Sequence, residues 1–189
     1  MKKLTRLLLI HWYTYDRELI EFENINFLTG KTAAGKSTII DALQLVLLGD
    51  TNGNFFNKAA NERSVRTLKS YLYGENGDDG ETGFRYLRAA TFTSYVVVEF
   101  EDTEKQTRFL LGLAADCYED LHFDYKWFTV DKMGIPENCF TNPRTNTPYT
   151  ISQLKRYLRD SRKRFEIIDT NRRYTKVDRK SGSAGMPRP

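Results

Sequence analysis

Hydrophobic positions along this chain fall into two periods, and the alternation between them predicts the elements. Residues 3–10 and 17–22 read as strands joined by a turn across 11–16, and residues 26–29 as a third, short and apolar strand. Residues 37–48, STIIDALQLVLL, are apolar nearly all round, with Asp41 and Gln44 as the clear polar breaks. Such a helix is buried on most sides, as between the layers of an α/β core. A Gly/Asn-rich loop follows over 50–61, then a helix over 65–73 and an acidic loop over 74–83. Residues 90–101, 107–113 and 123–130 read as three strands, the first two joined as a hairpin through 101–106. Residues 138–148 carry two prolines and read as loop, 152–164 as a helix and 165–168 as a strand.

Composition narrows the picture. At 189 residues, 40% hydrophobic and 13% aromatic, the chain suits one folded domain with a sizeable core. No apolar run approaches the roughly 20 residues of a membrane span, and the first residues read as a strand rather than a leader. Cys117 and Cys139 are isolated, and with His11 and His122 the only histidines there is no metal-ligand cluster. A cytoplasmic protein with free thiols is expected. Residues 154–180 hold eleven Lys and Arg against four Asp and Glu, whereas the remainder is net negative. A polyanion partner near the C-terminal end is therefore expected. Residues 181–189, SGSAGMPRP, have the composition of a linker or appended tail, leaving residues 1–180 as the domain.

The chemistry is concentrated at FLTGKTAAGKST, residues 27–38. Gly30, four residues, then Gly35, Lys36 and Ser37 fulfil G-x-x-x-x-G-K-[ST] between a strand pattern and a helix pattern. With glycine at about 7% of residues, a chance match is on the order of one in a few hundred chains of this length. The loop Gly30, Lys31, Thr32, Ala33, Ala34, Gly35 wraps a phosphate with successive backbone N–H groups, and a Cβ at either glycine would obstruct it. Lys36 supplies charge to the β- and γ-phosphates, Ser37 a hydroxyl to Mg²⁺, and Thr38 a group for the next phosphate. The helix N-terminus adds its partial positive charge. The expected ligands are ATP and Mg²⁺.

A small GTPase would need D-x-x-G and N-K-x-D. Residues 131–134 (DKMG) match the first only nominally, about a hundred residues past the loop, and 57–60 (NKAA) lack the aspartate. A stand-alone nucleotide-dependent kinase is the rival reading, although three long strands after residue 90 point to an antiparallel layer rather than alternating strands and helices. A non-catalytic nucleotide-binding module for regulated dimerisation is a second rival.

The run from Lys2 to Asp50, KKLTRLLLIHWYTYDRELIEFENINFLTGKTAAGKSTIIDALQLVLLGD, resembles the N-terminal lobe of the ABC-type ATPase heads of SMC-like proteins. FFNKAANERSVRTLKSYLYGE, residues 55–75, is most similar to the MukB-like group that includes the JetC subunit of Wadjet plasmid defence, and more distantly to Rad50-like repair ATPases. The family usually carries Asn-Gly where this chain has Thr32 and Ala33. The resemblance implies an α/β P-loop lobe with a largely antiparallel strand layer packed on the P-loop helix, and a coiled-coil arm beginning near residue 180. It also implies a C-terminal lobe of the same head, a second head as homodimer partner, and double-stranded DNA held without sequence preference. Kleisin-type and winged-helix subunits, and in Wadjet a nuclease subunit, are further implied partners.

The Walker B and signature segments of such a head are absent. YVVVEFED (95–102) reads as a hairpin strand, FEIIDT (165–170) lacks a second acid after Asp169, and SGSAG (181–185) has no helix after it. The chain by itself is expected to bind nucleotide without turning it over. The family's magnesium-sensing position near the end of the lobe falls at Asp169. Two basic sets are candidates for DNA phosphates: Lys58, Arg63, Arg66 and Lys69, favoured for charge and family position, and Lys155, Arg159, Arg162 and Lys163, spaced as one helix face. Trp12 and Tyr13 fit either adenine stacking or, more often for such residues, the core.

Overall fold

The computed structural model describes residues 1–31, 34–52, 56, 66–78 and 84–182. Its frame is a six-stranded sheet in the order β2-β1-β5-β6-β7-β8, every neighbouring pair antiparallel. The strands are β1 (Lys2–Trp12), β2 (Tyr15–Glu21), β5 (Phe92–Asp102), β6 (Thr107–Cys117), β7 (Phe123–Asp131) and β8 (Phe165–Ile168). Consecutive side chains leave a strand on opposite faces, so each central strand serves two cores. Leu7, Leu9, Val96, Val98, Leu111, Leu113 and Trp127 point to one side. Leu8, Ile10, Tyr95, Val97, Leu110, Phe128 and Val130 point to the other. Near-continuous apolar runs such as YVVV in β5 are the consequence of burial on both faces.

The first face carries α1 (Lys36–Leu48), α2 (Leu68–Tyr73) and Tyr174 of α4 (Asn171–Gly182). The second carries α3 (Ile151–Asp160) together with Ile135, Cys139 and Phe140 of the preceding loop. Thr67 and Thr150 each close a capping box at the start of α2 and α3, with Ser70 and Gln153 answering. Gly49 ends α1 at φ 64°, its N–H bonded to the Leu45 carbonyl.

The expected antiparallel layer on the P-loop helix is present, with four corrections to the elements. Residues 26–29 form no strand, because among the described residues no strand pairs with them. Part of the expected acidic loop is β3 (Glu75–Asp78), paired with β4 (Phe84–Tyr86); residues 79–83 lie outside the described residues. The helix expected to reach Arg164 ends at Asp160, since Arg162 takes φ +55°. Finally, the chain after Thr170 is helical: α4 includes Ser181 and Gly182 of the expected tail, and 183–189 lie outside the described residues.

Candidate nucleotide site

Two local facts shape the phosphate loop. Gly35 adopts φ +85°, a left-handed conformation in which a side chain is strained, and a Cβ there would lie 2.5 Å from the Tyr15 hydroxyl. A Cβ on Gly30, at φ +152°, would meet the Ala34 Cβ at 3.1 Å. Between these glycines the loop folds on itself: the Ala34 N–H donates to the Lys31 carbonyl at 3.2 Å. Lys36 Nζ crosses it to donate to the carbonyls of Gly30 and Lys31 at 2.7 and 2.8 Å. The ammonium is thereby held at the loop rather than extended into solvent. Thr32 and Ala33 lie outside the described residues.

Helix α1 opens on Lys36 and Ser37, so its unpaired N–H groups face the loop. Ser37 is half-buried, while Thr38 is buried and its carbonyl accepts from the Trp12 indole at 3.3 Å. These residues fit a phosphate chain and its cation: glycines where a Cβ would close the loop, an ammonium across it, and a hydroxyl at the helix start. Lys36 would meet the β- and γ-phosphates, and Ser37 would ligate Mg²⁺.

The wall of the site comes from the turn between β1 and β2. Tyr15 lies against Gly35, and Arg88 fixes the turn by donating to the carbonyls of Tyr13 and Tyr15 at 2.5 and 3.1 Å and to Asp16 at 3.0 Å. Neither Tyr15 nor Arg88 carries a motif that sequence alone could single out. Trp12 is core: fully buried and stacked on Tyr71 at 4.7 Å and 8°. Tyr13 packs edge-on against the same ring, so neither of these two aromatics is set to stack on a base.

The remaining candidates separate from the loop. Asp169 bonds Lys126 at 2.8 Å, and its carboxyl is held below the ordinary aspartate range by that ammonium first, then by Lys155 and Arg173. Lys126 lies on the α3 side of the sheet, while Ser37 starts a helix on the other side. The nearby Asn171 meets Thr51, beyond the far end of that helix. In this chain Asp169, expected at the magnesium-sensing position, is engaged by Lys126. Glu99, the acid inside YVVVEFED, is fully buried and accepts from the Thr5 hydroxyl at 2.7 Å and the Ile135 N–H at 2.6 Å. Gly134 of DKMG packs beside it.

Of the first basic set, Lys58 and Arg63 lie outside the described residues, and Lys69 is half-buried on α2. Arg66 donates to Tyr71 at 2.8 Å and to Asp41 at 3.4 Å. Burial alone would lower its pKa; the Tyr71 and Asp41 partners outweigh that and raise it. The second set is exposed throughout, but only Lys155 and Arg159 share the face of α3, because Arg162 and Lys163 follow its end. Arg172 and Arg173, exposed at the start of α4, were missed because nothing in the sequence marked a helix there.

Residues 4–63 match the family model of the P-loop containing region of AAA domain, a span that runs from β1 through the phosphate loop and α1. No curated protein matches the chain. Together with the loop geometry, the match makes this a P-loop nucleotide-binding domain, of a kind that carries the potential for nucleotide hydrolysis with Mg²⁺. Among the described residues no helix is long and apolar enough to cross a membrane.

Proposed function

We propose that this chain is the ATP-binding, N-terminal part of an SMC-like, ABC-type ATPase head that becomes an ATPase when a C-terminal lobe completes it. One observation carries the reading. The stretch that leads into the phosphate loop is largely apolar and exposed: Phe27 is 85% exposed, Ile25 76% and Leu28 40%. A chain rarely leaves such a run in water beside a functional loop unless another segment covers it. A strand from the C-terminal lobe, bringing the Walker B carboxylates, would pair with residues 26–29 and cover these side chains. It would also set an acid near Ser37, which the chain's own Asp169 and Glu99 do not supply.

In this reading two completed heads enclose two ATP·Mg²⁺ in the cytoplasm, and hydrolysis separates them to move coiled-coil arms and DNA. Wadjet-type plasmid defence, with kleisin-type, winged-helix and nuclease subunits, is the setting that best matches residues 55–75. The sheet argues against a small-molecule kinase, because all six strands are antiparallel instead of alternating with helices. For DNA, the exposed Lys155, Arg159, Arg162 and Lys163 are preferred over the first set, whose Arg66 is committed to Asp41 and Tyr71. Contacts there would be to phosphates, hence insensitive to sequence and steeply weakened by salt.

The test is co-purification of this chain with the C-terminal segment of its head, before and after Phe27→Asp. The reading expects a stable pair that Phe27→Asp disrupts while the chain still folds. A pair unaffected by the charge would place the contact elsewhere and remove the main support for the split head.

A further inference from the structure

Asp41 lies four residues after Ser37 on α1, so the two side chains sit on one helix face a single turn apart. Asp41 is fully buried, and a buried carboxylate is costly unless bonded. Its partners include the Tyr71 hydroxyl, through a short contact, and the Arg66 guanidinium at 3.4 Å. Tyr71 also reaches the start of α1 by a second route. Its ring stacks on Trp12, whose indole donates to the Thr38 carbonyl. The Tyr71 carbonyl accepts from the Tyr13 N–H at 2.7 Å, in the turn whose Tyr15 lies against Gly35. One residue on a six-residue helix thus braces, by side chain and backbone, the helix carrying Ser37 and the turn that walls the loop.

We infer that Tyr71 and Asp41 are positioning residues for the Mg²⁺ half of the ligand: they fix the Ser37 face of α1 and place a negative charge one turn behind the metal-facing hydroxyl. This rests on the reading of the loop as an ATP·Mg²⁺ site. The phosphates face Lys36 and the loop N–H groups, whereas the cation faces Ser37, so the two halves of the ligand respond differently to this set. Removing the Asp41 charge disfavours the cation and relieves repulsion of the free nucleotide. A merely structural role would weaken both alike.

The measurement is calorimetric ATP affinity with Mg²⁺ and with the metal chelated, for the wild type, Tyr71→Phe and Asp41→Asn, alongside thermal melting. Tyr71→Phe keeps the ring stack and removes only the hydroxyl. It should weaken Mg²⁺·ATP about tenfold, the size expected when a buried charged group loses a hydrogen bond. Metal-free ATP should change less than about twofold by the same arithmetic. Asp41→Asn should shrink the preference for the Mg²⁺ form further, with metal-free ATP unchanged or tighter. Equal losses with and without Mg²⁺ in both variants, or no loss in either, would overturn the inference. Wild-type chain that binds no ATP in either condition would sink the site reading itself, and this inference with it.

Discussion

The two ends of α1 are built for opposite purposes. At its N-terminal end the helix meets an exposed loop, and Lys36 is held by two carbonyls of that loop. At its C-terminal end the chain is enclosed. The Tyr174 hydroxyl donates to the Val46 carbonyl at 2.8 Å, and the Tyr174 ring fills the space beside Gly49 and stacks on Trp127 at 4.2 Å and 12°. Asn171 completes the clamp, accepting from the Trp127 indole at 2.8 Å and donating to Thr51 at 2.9 Å. The lesson is one of allocation: the far end anchors the helix so that the near end can leave donors open to a ligand. Stability and binding should accordingly be separable by mutation along one helix.

The largest effect should come from the anchored end. Tyr174→Ala removes a fully buried ring, its stack on Trp127 and its bond to Val46. A loss of about 3–5 kcal/mol is expected for a buried aromatic truncated to alanine, read by denaturant unfolding. If α4 were only an exposed appendage, the cost would stay within about 0.5 kcal/mol.

At the open end the sign of the comparison reverses. Lys36→Ala should reduce ATP affinity by about a hundredfold or more, since a charge-assisted contact to phosphate is lost. Its melting temperature should stay close to that of the wild type, because among the described residues the ammonium bonds the exposed loop. A folded variant with unchanged affinity would remove the phosphate assignment, and one that fails to fold would deny the separation of the two ends.

A smaller effect is expected from pH, and it lies at neither end. His11, bonded through Nδ1 to the Thr93 carbonyl at 2.9 Å, is pushed below its ordinary pKa of 6.5, chiefly by burial. The unfolded chain then binds this proton more readily than the folded one, so stability is full above about pH 6.5 and falls as the pH drops below it. His11→Gln should flatten that part of the stability–pH curve while leaving ATP affinity alone. Urea midpoints between pH 5 and 7 that decline equally in both proteins would assign the slope to other groups.

The phosphate loop was legible in the sequence because its geometry constrains residue type: two glycines at positive φ, where a side chain is strained, then lysine and a hydroxyl. The strands were legible because two-faced burial writes long apolar runs. What escaped was set by partners distant in sequence. Residues 26–29 read as a strand by composition, yet a strand also needs a neighbour. Residues 75–78 read as loop, yet a hairpin partner makes them β3. Arg66 read as surface charge because its partner Asp41 lies 25 residues earlier. Helix α4 has no apolar stripe to betray it; Thr170 caps it and Tyr174 pins it. Asp169 read as a metal ligand from its place in the chain, and only the sheet shows that Lys126 claims it.

The central proposal is that this chain holds a nucleotide cradle and that a C-terminal lobe brings the acids that hydrolyse the nucleotide. Steady-state phosphate release from Mg²⁺·ATP tests it most directly, measured on the chain alone and again with the C-terminal segment of its head supplied. The account predicts no turnover above background for the chain alone, and turnover on complementation that Lys36→Ala abolishes. Robust phosphate release or phosphoryl transfer by the chain alone would contradict it.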